Sequence, residues 1–102
     1  MELREAERRI IIAMKKMSVS KGEKPKHVRR ETIKKKIPDR YVGEFNNALD
    51  SLQKKEVIRQ VKKRPETYAF TKEGFKIAMK IYDEWIEETY KGLRILLTLI
   101  GL

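Results

Sequence analysis

The sequence predicts a mainly α-helical domain with one small β-hairpin and a long C-terminal helix. Apolar residues recur every three or four positions before residue 56, alternate with polar residues over the next stretch, and return to helical spacing after residue 71. With 102 residues and a hydrophobic fraction of 40%, the chain can form one core. We therefore expect one domain over residues 1–82 and a helical extension over residues 83–102.

Three helices are expected in the first half of the chain. The first covers residues 2–17, and the second is a short helix over residues 30–36 that follows an extended piece at residues 27–29. The third is expected to start at Asp39, a favourable N-cap residue after a proline, and to end near residue 55. The side chains that the third helix should bury are Val42, Phe45, Leu49 and Leu52.

The hairpin is predicted where the spacing of apolar residues changes to two. Residues 57–62 and 66–71 are rich in Val, Ile, Tyr, Phe and Thr, which favour strands. The turn between them, residues 63–65, has the sequence Lys-Arg-Pro and is positively charged. Thr71 is then a suitable N-cap for a last helix over residues 72–100, about 43 Å long at the usual helical rise.

This order of elements, three helices followed by a hairpin and a long helix, predicts a winged helix-turn-helix. The segment at residues 45–59 resembles the end of the recognition helix and the start of the wing in winged-helix regulators of the multiple-antibiotic-resistance (MarR) and PadR types, with Glu56 where glycine is usual. Residues 68–74, Tyr-Ala-Phe-Thr-Lys-Glu-Gly, are similar to the second wing strand followed by Thr-x-x-Gly. Small archaeal winged-helix DNA-binding proteins often carry this pattern, including some that dimerise through a C-terminal helix.

The distribution of charge favours a polyanionic partner. The formal net charge is +10, and the basic excess falls in residues 21–40 and 54–64, whereas residues 72–102 are balanced. A protein kept soluble by lysines alone would spread them evenly. Two basic stretches that meet on one face are typical of nucleic-acid binding.

The resemblance implies that the third helix enters the major groove of double-stranded DNA. Arg40, Tyr41 and Asn47 are the expected contacts to base edges, because arginine and asparagine can bridge guanine and adenine. Glu44 and Asp50 count against tight insertion, since carboxylates repel phosphates. Gly43, Ser51 and Lys54 are also expected to face outward. The expected phosphate contacts are Arg29, Arg30, Lys34 and Lys35 around the second helix and Lys62, Lys63 and Arg64 in the wing.

The last helix carries more apolar surface than the domain can cover, which predicts a homodimer. The expected dimer contacts are Trp85, Ile86, Leu93, Leu96, Leu97 and Ile100. Packing of this segment against the first helix of the same chain and association with a membrane are the alternatives. The apolar run is too short to span a bilayer, and no secretory signal is visible at Met1.

The predicted function is therefore a sequence-specific DNA-binding transcriptional regulator, acting in the cytoplasm as a homodimeric repressor. A nonspecific, chromatin-like architectural DNA-binding protein and a winged-helix protein-interaction module are the two alternatives. An enzyme is not expected, because His27 is the only histidine, cysteine is absent, and no nucleophile or phosphate-loop motif occurs. For the same reason no cofactor or metal is expected.

Overall fold

The structure is a computed structural model that describes residues 2–19 and 27–101. It is mainly helical with a small antiparallel sheet, as predicted, but the sheet has three strands in the order β1-β3-β2, not two. The elements in chain order are α1 Glu5–Val19, β1 Val28–Arg29, α2 Arg30–Lys36, a 3-10 helix Asp39–Glu44, α3 Phe45–Lys54, β2 Ile58–Lys63, β3 Glu66–Phe70 and α4 Lys72–Leu99.

The third helix differs from its prediction. Asp39 does not cap a continuous α-helix, because Asp39–Glu44 is a 3-10 helix that follows Pro38 without a side-chain capping bond. The Tyr41 amide donates to the Pro38 carbonyl at 2.9 Å, which is the shorter i→i+3 pattern. The α-helical hydrogen bonding of α3 begins only at Phe45.

The core lies between α1, α3, the sheet and the first half of α4. Phe45, Leu49 and Leu52 are buried as predicted, whereas Val42 is only half-buried. Each buried aliphatic or aromatic side chain contributes about 1.5–3 kcal/mol relative to an exposed one. Other members of this core are Ile10, Ile11, Met14, Ile33, Ala48, Val57, Ile58, Ala78 and Ile81.

A Schellman turn at Glu56 ends α3. Glu56 has a φ of 59°, in the left-handed region where glycine is usual, so the turn keeps the glycine conformation with a glutamate. The Val57 amide donates to the Leu52 carbonyl, and the Glu56 amide donates to the Gln53 carbonyl, both at 3.0 Å. Leu52 and Val57 are both fully buried, which supplies the apolar contact that usually accompanies this turn.

The same turn is joined to the start of α4, and we call the contact of Glu56 and Val57 with Thr71 and Gly74 the α3–α4 joint. Thr71 caps α4 as predicted, because its hydroxyl accepts from the Gly74 amide at 2.9 Å. The Thr71 hydroxyl also donates to the Glu56 carbonyl at 2.6 Å, and the Thr71 amide donates to the Val57 carbonyl at 3.1 Å. A Cβ on Gly74 would lie 1.7 Å from the Val57 carbonyl oxygen, so the joint closes only around glycine.

A buried carboxylate holds α3 against α1. Glu7 is fully buried and accepts hydrogen bonds from Lys55 Nζ at 2.8 Å and from the Ser51 hydroxyl and the Arg4 amide, each at 3.0 Å. Burial alone would raise the pKa of Glu7, but the hydrogen bonds from these three partners outweigh it and hold the pKa below its ordinary value of 4.5. Glu7 was not singled out from the sequence, because Ser51 and Lys55 lie far from it along the chain.

We expect Gly74→Ala to destabilise the fold by about 3 kcal/mol or more, because the new methyl group overlaps a backbone oxygen that cannot move without opening the joint. Gly92→Ala is the matched control in the same helix. A Cβ there meets nothing within 4 Å, so that variant should gain up to about 1 kcal/mol from helix propensity. Urea unfolding followed by circular dichroism at one protein concentration measures both. Equal stability of the two variants would contradict the described joint.

We expect the contribution of Glu7 to stability to be present above pH 4.5 and to be lost as the pH falls through its lowered folded-state pKa. Glu7→Gln should therefore cost about 1–3 kcal/mol at neutral pH, where charged hydrogen bonds are lost, and much less near pH 3. Glu5→Gln, which affects an exposed pair with Arg9, is the control and should change stability little at either pH. A loss for Glu7→Gln that is the same at both pH values would show that the charge is not the cause.

Candidate nucleic-acid interface

The outward face of α3 is polar. Asn46, Asn47, Asp50 and Lys54 are all exposed, and the side chains of Asn47 and Lys54 form no hydrogen bond or ion pair with the described residues. Ser51 was predicted to face outward and does not, because it is half-buried and donates to Glu7. Asn46 was not among the predicted contacts, since the change from 3-10 to α-helix at residue 45 shifts the faces that simple helical counting assigns.

Two predicted base contacts lie on the 3-10 helix before α3. Arg40 is exposed, and its guanidinium lies 5.0 Å from the centre of the Tyr41 ring. Tyr41 is half-buried against the core, and the guanidinium of Arg9 from α1 lies 6.0 Å from the same ring. The ring is therefore fixed between the core and two cations. Arg9 was not predicted to approach this region.

Two cations of α2 lie beside the start of α3. The Arg30 guanidinium and the Lys34 ammonium lie 5.2 and 6.0 Å from the centre of the Phe45 ring, and Lys35 is exposed next to them along the chain. Arg30 also donates to the Asn46 side-chain oxygen and forms an ion pair with Glu66 of β3 at 3.4 Å. Arg30 thus links α2, α3 and the hairpin. The sequence had indicated only a phosphate contact for this residue.

A polar cleft separates α3 from the hairpin. The Tyr68 hydroxyl donates to Glu66 at 3.1 Å inside it. Burial, followed by the hydrogen bond and charge of Glu66, raises the pKa of Tyr68, so this phenol remains a neutral donor. The side chains that line the cleft are Arg30, Asn46, Leu49, Asp50, Gln53, Gln60, Glu66 and Tyr68. Because Asp50 and Glu66 are among them, the cleft is less basic than the net charge of residues 54–64 led us to expect.

The strand register places the predicted wing cations on two different faces of the sheet. Gln60 pairs with Tyr68, so both lie on the side of the cleft and α3. A bulge at residue 61 then brings Lys62 opposite Thr67, and Arg29 of β1 pairs with the other side of Thr67. Residues 67 and 68 point to opposite faces of the strand. Arg29 and Lys62 therefore lie on the face turned away from α3.

The remaining two wing cations lie near the turn. Lys63 pairs with Glu66, on the face of the cleft, and Arg64 is exposed in the two-residue turn that links β2 to β3. The three cations that were predicted to contact phosphates from the wing therefore do not lie on one face of the sheet. β-Strand alternation sends Lys62 and Lys63 to opposite sides. Arg59, which was not predicted as a contact, lies on the same face as Lys62 because it pairs with Ala69.

The second half of α4 presents an unpartnered apolar face. All of residues 87–101 are exposed, and the side chains of Leu93, Leu96, Leu97 and Ile100 are 37–60% exposed. Trp85 and Ile86 are half-buried, and the Lys16 ammonium lies 4.1 Å from the Trp85 ring centre. Positions three and four residues apart form one stripe along the helix, which we call the α4 seam. Its members are Met79, Tyr82, Ile86, Thr89, Leu93, Leu96 and Ile100.

Residues 2–19 and 27–101 contain neither a candidate metal site nor a helix suited to span a membrane. No group of His, Cys, Asp and Glu side chains in these ranges could hold a metal ion. None of the helices there is both long and apolar enough to cross a membrane. Comparisons of the chain with known protein families, with curated proteins and with solved structures find no match.

Proposed function

We propose that this protein is a winged helix-turn-helix that binds double-stranded DNA as a homodimer, with α3 in the major groove. The observation that supports the proposal is the outward face of α3, where the exposed side chains of Asn47 and Lys54 form no hydrogen bond or ion pair with the described residues. Arg40 precedes this face, and Arg30 and Lys34 lie at its N-terminal end. A polar helix face bordered by cations suits a groove bordered by phosphates.

The contacts divide by chemistry. Asn47 and Arg40 have the side chains that bridge adenine and guanine in the major groove. The side-chain oxygen of Asn46 already accepts from Arg30, which leaves its amide hydrogens to donate to base acceptors. Lys34, Lys35 and the cations of the hairpin turn supply phosphate contacts, which give affinity without sequence selection.

Asp50 limits this binding, because it lies in the middle of the exposed face and repels phosphates. Its carboxylate and that of Glu44 weaken binding to every sequence, while a cytosine amino group is the one base donor that a carboxylate can use. These charges therefore favour selectivity over affinity. Repression by occupation of the operator is the simplest mode of regulation for such a protein.

The homodimer is proposed to form through the α4 seam. Its alternating spacing of three and four residues is the pattern of a helix pair that packs along its length. The seam continues beyond the domain into the exposed residues 87–101, where no described part of the same chain covers it. A two-fold partner helix would bury this surface and present two copies of α3 to successive half-sites.

A second candidate function is an architectural protein that binds DNA without sequence preference. The observation that favours it is the presence of cations on both faces of the sheet, since Arg29 and Lys62 lie opposite the α3 side. Random-oligonucleotide selection separates the two functions. A regulator should prefer its selected duplex over a scrambled one by about 1,000-fold or more, whereas an architectural protein should bind both alike.

We expect the affinity for DNA to fall steeply with salt, and Lys34→Gln to reduce the slope of log K against log salt by about 0.9, because one phosphate contact is lost. Asp50→Asn, which removes a charge at constant shape, should strengthen binding to a scrambled duplex by up to about tenfold at low salt and to the selected duplex by less, because the selectivity from the carboxylate is lost. Fluorescence anisotropy with a labelled duplex measures all three effects. Lys91→Gln on α4 is the control for net charge and should change neither slope nor affinity beyond a small uniform shift. Equal effects of Lys34→Gln and Lys91→Gln would contradict the proposed interface.

We expect Leu96→Glu to weaken dimerisation by about 100-fold or more, because a charge enters an apolar seam twice per dimer. Ile95→Glu is the matched control, since Ile95 is 62% exposed and adjacent in sequence but lies outside the seam. Sedimentation velocity over a range of concentrations measures both variants. A dimer that survives Leu96→Glu, or that Ile95→Glu disrupts equally, would show that α4 does not pair through this stripe.

A further inference from the structure

We propose that the sheet face turned away from α3 binds the phosphate backbone of a second DNA duplex, so that one chain can hold two duplexes. This inference rests on the proposed function and adds a second site to it. The site, which we call the outer sheet face, consists of Arg29, Arg59, Lys62, Thr67 and Ala69.

The register brings these residues together. Thr67 of the central strand pairs with Arg29 on one side and with Lys62 on the other, so the three form a row across the whole sheet. Neighbouring strands lie about 4.8 Å apart, which puts the Cα atoms of Arg29 and Lys62 about 10 Å from each other. Both long side chains can reach a phosphate placed between them. Arg59 extends the same face by one pair, opposite Ala69.

The central residue of the row has a polar atom without a partner. Thr67 is 7% exposed, and its buried hydroxyl makes no hydrogen bond with the described residues. An unsatisfied buried hydroxyl costs about 1–3 kcal/mol, so its retention between two cations suggests a ligand that supplies an acceptor. A phosphate oxygen is such an acceptor, and it also carries the charge that Arg29 and Lys62 require.

The cationic side chains of the outer sheet face have no hydrogen-bond or ion-pair partner among the described residues. Arg29, Arg59 and Lys62 are exposed, and none of their side chains forms an ion pair or hydrogen bond in the described part of the molecule. Glu31 and Glu66 line one concavity together with Arg29, but neither forms an ion pair with it, and Glu66 pairs instead with Arg30 at 3.4 Å. Arg59 and Lys62 therefore join Arg29 on the outer side, and none of the three has an ion-pair partner among the described residues.

The opposed directions of the two faces point to a second duplex. A duplex seated against α3 meets the cleft side of the hairpin, which carries Gln60, Glu66 and Tyr68. The outer sheet face looks the other way, so a straight duplex bound at α3 leaves it open. Three cations around a hydroxyl, with no aromatic side chain among them, suit the phosphodiester backbone and not the bases.

The number of duplexes bound per chain tests the inference. The full-length protein is titrated with a duplex of about 10 base pairs, one helical turn, and the stoichiometry is measured by sedimentation. We expect two duplexes per chain for the native protein. A triple variant keeps long polar side chains on the outer sheet face but removes their charge: Arg29→Gln/Arg59→Gln/Lys62→Gln. This variant should bind one duplex per chain, with the affinity of the second site reduced at least about tenfold. A second triple variant removes the same amount of charge from the α3 side: Lys34→Gln/Arg40→Gln/Lys54→Gln. It should keep only the duplex that binds the outer sheet face.

Thr67→Val sharpens the test, because it removes the hydroxyl and nearly keeps the shape. It should weaken the second site severalfold while the protein unfolds at the same or a higher temperature, since an unsatisfied polar atom is gone. One duplex per native chain, or a second duplex that survives the triple substitution, would overturn the outer sheet face while leaving the proposed function intact. Failure of the native protein to bind any duplex would overturn both.

Discussion

The α3–α4 joint is the constraint on which the rest of the structure depends. The left-handed turn at Glu56 ends α3, and the Val57 carbonyl lies so close to Gly74 that no side chain fits between them. Thr71 ties the same turn to the first turn of α4 through its amide and hydroxyl. One small contact therefore sets the directions of α3, the hairpin and α4 relative to each other, and it joins the sequence segments at residues 45–59 and 68–74.

Local sequence signals predicted the parts of the fold that depend on neighbouring residues. The range of α2, the cap at Thr71 and the buried side chains of α3 follow from helical spacing and capping chemistry, and the structure confirms them. The 3-10 helix before Phe45 was not predicted, because Asp39 after a proline looks like an ordinary N-cap and the competition between i→i+3 and i→i+4 bonding depends on packing. Burial of Glu7 depends likewise on Lys55, far away in the sequence.

The sequence predicted which cationic and polar residues could form the candidate interface, but not how the sheet distributes them between its two faces. A simple alternation after Gln60 would place Lys62 on the cleft side, but the bulge at residue 61 moves it to the outer side with Arg29. A one-residue bulge of this kind cannot be recognised from the distribution of charged residues along the sequence. The side of the sheet that faces α3 is therefore a mixed polar cleft with Asp50 and Glu66, while Arg29 and Lys62 lie on the opposite side.

In the proposed function, α3 and the elements that the joint fixes to it form the surface that binds DNA. The most direct measurement is the shift of assigned backbone amide NMR signals when a short duplex is added to the protein. We expect the largest shifts in α2, in residues 39–54 and at the hairpin turn, with α4 beyond residue 86 unaffected. Shifts confined to α4, or no shifts at low salt, would contradict it.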